Sequence, residues 1–113
     1  MTDSKEVNGT IYLIYDINND LFKIGLTRGS VRKRLKQLQT GNGTELKIIK
    51  SYNTKYPILL EQHLHLKFCG KNALNEWFYL NDDDVFGFEK TCETIEQSLS
   101  ILETNDFMTK RLK

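Results

Sequence analysis

Two runs rich in β-branched and aromatic residues, separated by a turn signal, constrain this chain more than anything else in it. Thr10-Ile11-Tyr12-Leu13-Ile14-Tyr15-Asp16 and Leu21-Phe22-Lys23-Ile24-Gly25-Leu26-Thr27 bracket Asn18-Asn19-Asp20. Runs of that composition read as strands. Asn and Asp tolerate the positive φ that a tight reversal needs. The pair therefore predicts a β-hairpin. Period-two alternation turns Tyr12 away from Ile11 and Leu13, and puts Lys23 on one face with Leu21 and Gly25. A glycine inside a strand marks a close backbone approach, and Tyr12 and Lys23 fall near each other across the hairpin.

The rest of the chain follows the same logic. Ser30 is a candidate N-cap, with Val31, Leu35 and Leu38 at helical spacing behind it and Gly41-Asn42-Gly43 as a stop. Residues 45–52 read as a third strand with Leu46 and Ile48 inward, Ile49 being a further candidate. Thr54 marks a cap region and Pro57 fits the first turn of a helix that runs to about Phe68. Residues 76–80 are short, aromatic and extended. Asp82, Asp83 and Asp84 then cap a single helix to about Thr104, its apolar stripe formed by Val85, Phe88, Cys92, Ile95, Leu99 and Leu102. Residues 1–8 are expected to be disordered and 105–113 to be a loose tail. Residues 9–104 form one domain, a core over 9–80 plus the C-terminal helix. The order predicts an α/β sandwich, a small and mainly antiparallel sheet covered by helices.

A chain of 113 residues, 39% hydrophobic and 11% aromatic, suits one domain with a thin core. No apolar run approaches the roughly eighteen residues of a membrane span, and the polar start Met1-Thr2-Asp3-Ser4-Lys5-Glu6 does not read as a signal peptide. Cys69 and Cys92 suit neither a disulfide framework nor a zinc site, and read as packed thiols in a reducing, cytoplasmic setting. The net charge of +1 hides an asymmetry. Between Lys23 and Lys55 nine bases (Lys23, Arg28, Arg32, Lys33, Arg34, Lys36, Lys47, Lys50, Lys55) face one acid, Glu45. Between Glu76 and Asp106 nine acids face one base, Lys90. The basic half suits a phosphate backbone; the plainer reading is that the halves neutralise each other, within the monomer or across a dimer.

Four side chains could carry chemistry. Tyr12 beside cations can act as a base, and Lys23 can hold an attacking water. Arg34 opens toward a phosphate with a fork that matches its oxygens. Glu61, on the second helix, is the lone carboxylate with which Mg²⁺ or Mn²⁺ is often held among several waters. His65, one turn on, is placed to hydrogen-bond Glu61. His63 and His65 are two apart and make a poor zinc pair. Taken singly, each of these is more often structural: a core tyrosine, a solvated lysine, a charged helix face, a surface glutamate.

Together the residues resemble the GIY-YIG endonuclease superfamily. Thr10-Ile11-Tyr12 resembles its first motif and Lys23-Ile24-Gly25 its second, followed by Arg34-Leu35 and Leu60-Glu61 on helices. The run 34–41, Glu61 with Leu64-His65, and Glu76-Trp77-Phe78 are similar to a branch of small stand-alone domains from phages, large viruses and microbes. The resemblance covers about residues 9–80. It implies a three-stranded antiparallel sheet flanked by helices, one divalent ion on Glu61, Arg34 against the phosphate and Tyr12 as base for water. Thr10 stands where Gly is usual and Lys23 where Tyr is usual. Leu38 occupies a slot that is usually His or Tyr, with Gln37 and Gln39 nearby. Asn72 and Asn75 are both candidates for an asparagine that follows the glutamate helix, and Glu76 is a further candidate that leans structural.

The expected function is a Mg²⁺- or Mn²⁺-dependent endonuclease acting on DNA, RNA remaining open, with little intrinsic sequence preference. Arg28, Arg32, Lys33, Lys36 and Asn42 would track the backbone, and a homodimer or a protein partner would supply specificity. The alternative is a catalytically weak or inactive module that binds nucleic acid or another protein on the same fold.

Overall fold

The computed structural model describes residues 8–104. The expected tail at 105–113, and the expected disordered start apart from Asn8, lie outside the described residues. β1 (Gly9–Asp16) and β2 (Leu21–Thr27) form the hairpin, antiparallel, with Tyr12 opposite Gly25 and Ile14 opposite Lys23. Asp16 closes its turn: the buried carboxylate accepts from the amides of Asn18 and Asn19 at 3.1 and 3.2 Å and from Asn19 Nδ2 at 2.8 Å. Asp20 supplies the positive φ, 54°.

β3 (Leu46–Thr54) pairs with the other edge of β1, with a register shift between Leu13 and Ile14. Ile48 is partly buried in it, whereas Ile49 is exposed. The sheet has five strands and not the three expected. A hairpin of β4 (Asn72–Leu74) and β5 (Trp77–Phe78) extends the free edge of β2, giving the order β3-β1-β2-β5-β4. β5 falls within the extended run expected at 76–80, whereas β4, at three residues, is too short to display an alternation, so periodicity alone could not reveal it. They turn at Asn75, whose φ is 53°.

α1 (Val31–Thr40) starts at Ser30, whose Oγ accepts from Lys33 N at 3.3 Å, and ends at Gly41. α2 (Pro57–Lys67) begins at proline, with Tyr56 rather than Thr54 in the cap position. The single C-terminal helix expected from residue 82 is two: α3 (Asp82–Phe86) and α4 (Phe88–Thr104). The break is Gly87, whose N–H returns to Asp83 O at 2.9 Å and where a Cβ would stand 3.1 Å from that carbonyl. The cap is Asn81, not the aspartates: its Oδ1 accepts from Asp84 N at 2.8 Å while Asp84 Oδ2 accepts from Asn81 N at 3.0 Å, a capping box.

The sheet separates two apolar clusters, as its pleat dictates. On one face Tyr12, Ile14 and Leu46 pack under Val31, Leu35 and Leu38 of α1. On the other, Ile11, Leu13, Phe22 and Ile24 pack against Leu60 and Leu64 of α2 and Phe88, Cys92 and Leu99 of α4. The basic α1 and the C-terminal α4 therefore lie on opposite faces. The two charged halves meet only locally within the described residues, for instance Lys50 with Glu89 at 3.4 Å. Cys92 is buried, its thiol pushed up to about 12 by burial and the surrounding glutamates. Cys69, expected to be packed, is exposed. No helix among the described residues is long and apolar enough to cross a membrane.

Candidate functional site

The site is assembled where β5 stops. β2 pairs with β5 only at Phe22 and Lys23. The last link is Ile24 N to Glu76 O at 3.1 Å, and the next carbonyl along that edge, Ile24 O, meets His65 Nε2 of α2 at 2.8 Å. The edge of β2 thus passes from a strand partner to a helix side chain. The candidate residues stand around that edge.

Tyr12 lies on the α1 face and is 1% exposed. The phenol end of its ring packs on Gly25, directly opposite on β2, where a Cβ would stand 2.5 Å from Tyr12 Cζ. Only a residue without a Cβ leaves room for that ring. From α1, Arg34 Nε donates to Tyr12 Oη at 3.4 Å and Arg34 Nη1 to Gln37 Oε1 at 3.2 Å. The contact with Tyr12 raises the Arg34 pKa, burial opposes the rise and Glu76 adds to it. A guanidinium so placed stays charged and fixed in direction.

Lys23 shares that face. Its side chain is 11% exposed, its ammonium is 2.9 Å from Glu76 Oε1, and it lies 5.6 Å from the centre of the Trp77 ring. Glu61 arrives from the other layer. It follows the buried Leu60, so helical rotation swings it out of the core and toward the β2 edge. Burial raises the Glu61 carboxyl above its usual value, with Glu76 adding to the rise and His65 and Lys23 opposing it. Those interactions put Glu61 within electrostatic reach of Lys23 and Glu76. Tyr12, Lys23, Arg34, Glu61 and Glu76 are therefore one neighbourhood.

Several secondary candidates resolve differently. His65 does not bond Glu61; its Nε2 is committed to Ile24 O and its ring packs 5.1 Å from Phe78. Gln39 is spent on structure, accepting from Leu46 N at 2.9 Å and donating to Thr44 O at 2.5 Å. Leu38 packs under α1 against the Tyr12 cluster. Asn72 braces the β4–β5 turn by donating to Asn75 O at 2.7 Å, and Asn75 is the turn residue itself. Glu76, read as leaning structural, stands inside the site. Its signal was its place beside Trp77, which sequence separation from Lys23 concealed. Arg28, Arg32, Lys33 and Lys36 lie on or just before α1, and Asn42 Oδ1 accepts from Thr44 Oγ1 at 3.1 Å.

Among the described residues, no three of His, Cys, Asp and Glu gather as a metal-holding group. The donor set is instead a hard carboxylate, Glu61, whose negative charge is disfavoured by burial and by a second carboxylate. Glu61 is the hard oxygen donor of the set, and a small divalent cation that keeps most of its water needs only one or two such oxygens.

One family model, the T5orf172 domain, matches residues 9–97. No curated protein and no solved structure matches the chain.

Proposed function

We propose that this chain, which belongs to the T5orf172 domain family, is a divalent-metal-dependent endonuclease of the GIY-YIG kind that hydrolyses DNA phosphodiester bonds. The family is associated with endonuclease-like proteins and with DNA binding. The observation that carries the reading is the chain of contacts at the edge of β2: Arg34 Nε is 3.4 Å from Tyr12 Oη, Lys23 Nζ is 2.9 Å from Glu76 Oε1, and Glu61 is within electrostatic reach of both Lys23 and Glu76.

In this reading Tyr12, acting as its phenolate, takes the proton of the attacking water and becomes the neutral phenol. Lys23 Nζ orients that water and offsets charge at the reacting centre. The Arg34 guanidinium binds the scissile phosphate and neutralises the charge that grows on it, an effect worth about 3 kcal/mol or more. Glu61 would hold Mg²⁺ or Mn²⁺, which when bound supplies Lewis-acid stabilisation of the leaving oxygen. Arg28, Arg32, Lys33, Lys36 and Asn42 would follow the flanking backbone. Contacts of that kind position the duplex without reading its sequence, so little intrinsic specificity is expected.

Nicking of supercoiled plasmid in Mg²⁺ or Mn²⁺ tests this. Tyr12→Phe and Arg34→Ala should each lose at least about a hundredfold in rate, and Glu61→Ala should abolish metal-dependent cutting. Cutting that survives in Glu61→Ala removes the metal assignment. A second reading, a nucleic-acid-binding module without catalysis, is favoured by one observation: the Tyr12 side chain is buried in the free protein. Salt-dependent binding of DNA without any nicking would select it.

A further inference from the structure

We propose that Glu76 is a positioning residue that holds the Lys23 ammonium in its working place; this rests on the nuclease reading above. Lys23 projects from the middle of a strand and its side chain is 11% exposed. An ammonium that far from water needs a counter-charge, or its burial is strongly unfavourable. Glu76 Oε1 supplies it at 2.9 Å.

The clamp is built on more than the ion pair. Glu76 sits at the two-residue reversal between β4 and β5, directly after Asn75 with its φ of 53°. Its backbone carbonyl accepts from Ile24 N at 3.1 Å, so the residue is tied to the strand that carries Lys23, one position along. Trp77 pairs with Lys23 in the sheet and presents its ring 5.6 Å from the ammonium. Backbone, carboxylate and indole thus converge on one flexible side chain and remove most of its freedom. A free lysine side chain samples many rotamers, and a clamp formed on folding spares the reaction step that ordering. Of the short hairpin, only Phe78 and Trp77 join the two apolar clusters, which suits a role in placement.

The test measures single-turnover plasmid nicking in Mn²⁺ for the full chain, with side-chain NMR of ¹⁵N-labelled lysine. Glu76→Gln should lower the cleavage rate at least about tenfold while DNA affinity stays within about threefold. Glu76→Asp should recover part of that rate. In a Lys23→Met background, Glu76→Gln should cost nothing further, because its effect passes through Lys23. The protected Lys23 ammonium resonance should be present in the wild type and lost in Glu76→Gln. Full activity of Glu76→Gln, losses that multiply in the double variant, or an unchanged Lys23 resonance each overturns the proposal. A wild type that never cuts DNA defeats the nuclease reading instead, and the NMR comparison still decides whether Glu76 holds Lys23. If Glu76→Gln fails to fold, the same resonance and rate are read in Glu76→Asp, where an unchanged pair of values overturns the clamp.

Discussion

A methyl group on Gly25 would enter the space of the Tyr12 ring, because the two residues face each other across the hairpin and a Cβ there stands 2.5 Å from Tyr12 Cζ. Gly25→Ala should therefore displace the phenol from Arg34. Overpacking of this kind costs about 1–3 kcal/mol, measurable by urea denaturation, and nicking should fall with it. A variant as active and stable as the wild type would mean that the ring does not need its seat. Asp16 offers a pH signature. Burial alone would raise its carboxyl, but hydrogen bonds from Asn19, Thr44 and Asn18 outweigh that and hold it below the usual carboxylate value. A depressed folded-state pKa makes the stability contribution complete above the unfolded value of about 3.9, and it disappears as pH falls through the folded pKa. Denaturation midpoints of the wild type should drop across that acidic window, and Asp16→Asn should flatten that part of the curve while lowering stability at neutral pH.

At the level of elements, α1 is the part whose placement matters most, since it carries Arg34 over the sheet. Its start at Ser30 and stop at Gly41 follow from capping chemistry written in adjacent residues. Its height above β3 is set by Gln39, whose amide bridges Leu46 N and Thr44 O. Removing that bridge leaves backbone groups without partners, at about 1–3 kcal/mol. Gln39→Ala should thus lower the thermal midpoint while keeping most of the cleavage rate per folded molecule, the opposite of Arg34→Ala. Loss of cleavage without loss of stability in Gln39→Ala would return this residue to the chemistry. In the C-terminal region the apolar spacing is continuous in the sequence, yet the helix is interrupted at Gly87, glycine being among the residues least favourable to a helix interior.

Across the whole molecule, charge and layering work together. The basic residues of α1 lie on the face that carries Tyr12 and Lys23, and α4 lies on the other, so the phosphate-attracting and the acidic surfaces point apart. Reversing Arg32, Lys33 and Lys36 to glutamate should weaken DNA binding and lower the salt slope by about 0.9 for each phosphate that is no longer neutralised, read from gel shifts at several salt concentrations. An unchanged slope would place the nucleic acid elsewhere. The hairpin β1–β2, the caps of α1 and the proline start of α2 were all legible in the primary structure, because each depends on residues that are neighbours or on a short period, and Tyr12, Lys23, Arg34 and Glu61 were legible there as candidates. What folding in three dimensions alone decided was the pairing of the short 76–80 run with β2 and β4, the diversion of His65 to Ile24 O and the entry of Glu76 beside Lys23. Most of those features rest on contacts between atoms dozens of residues apart, where no local spacing or propensity carries a trace of the partner.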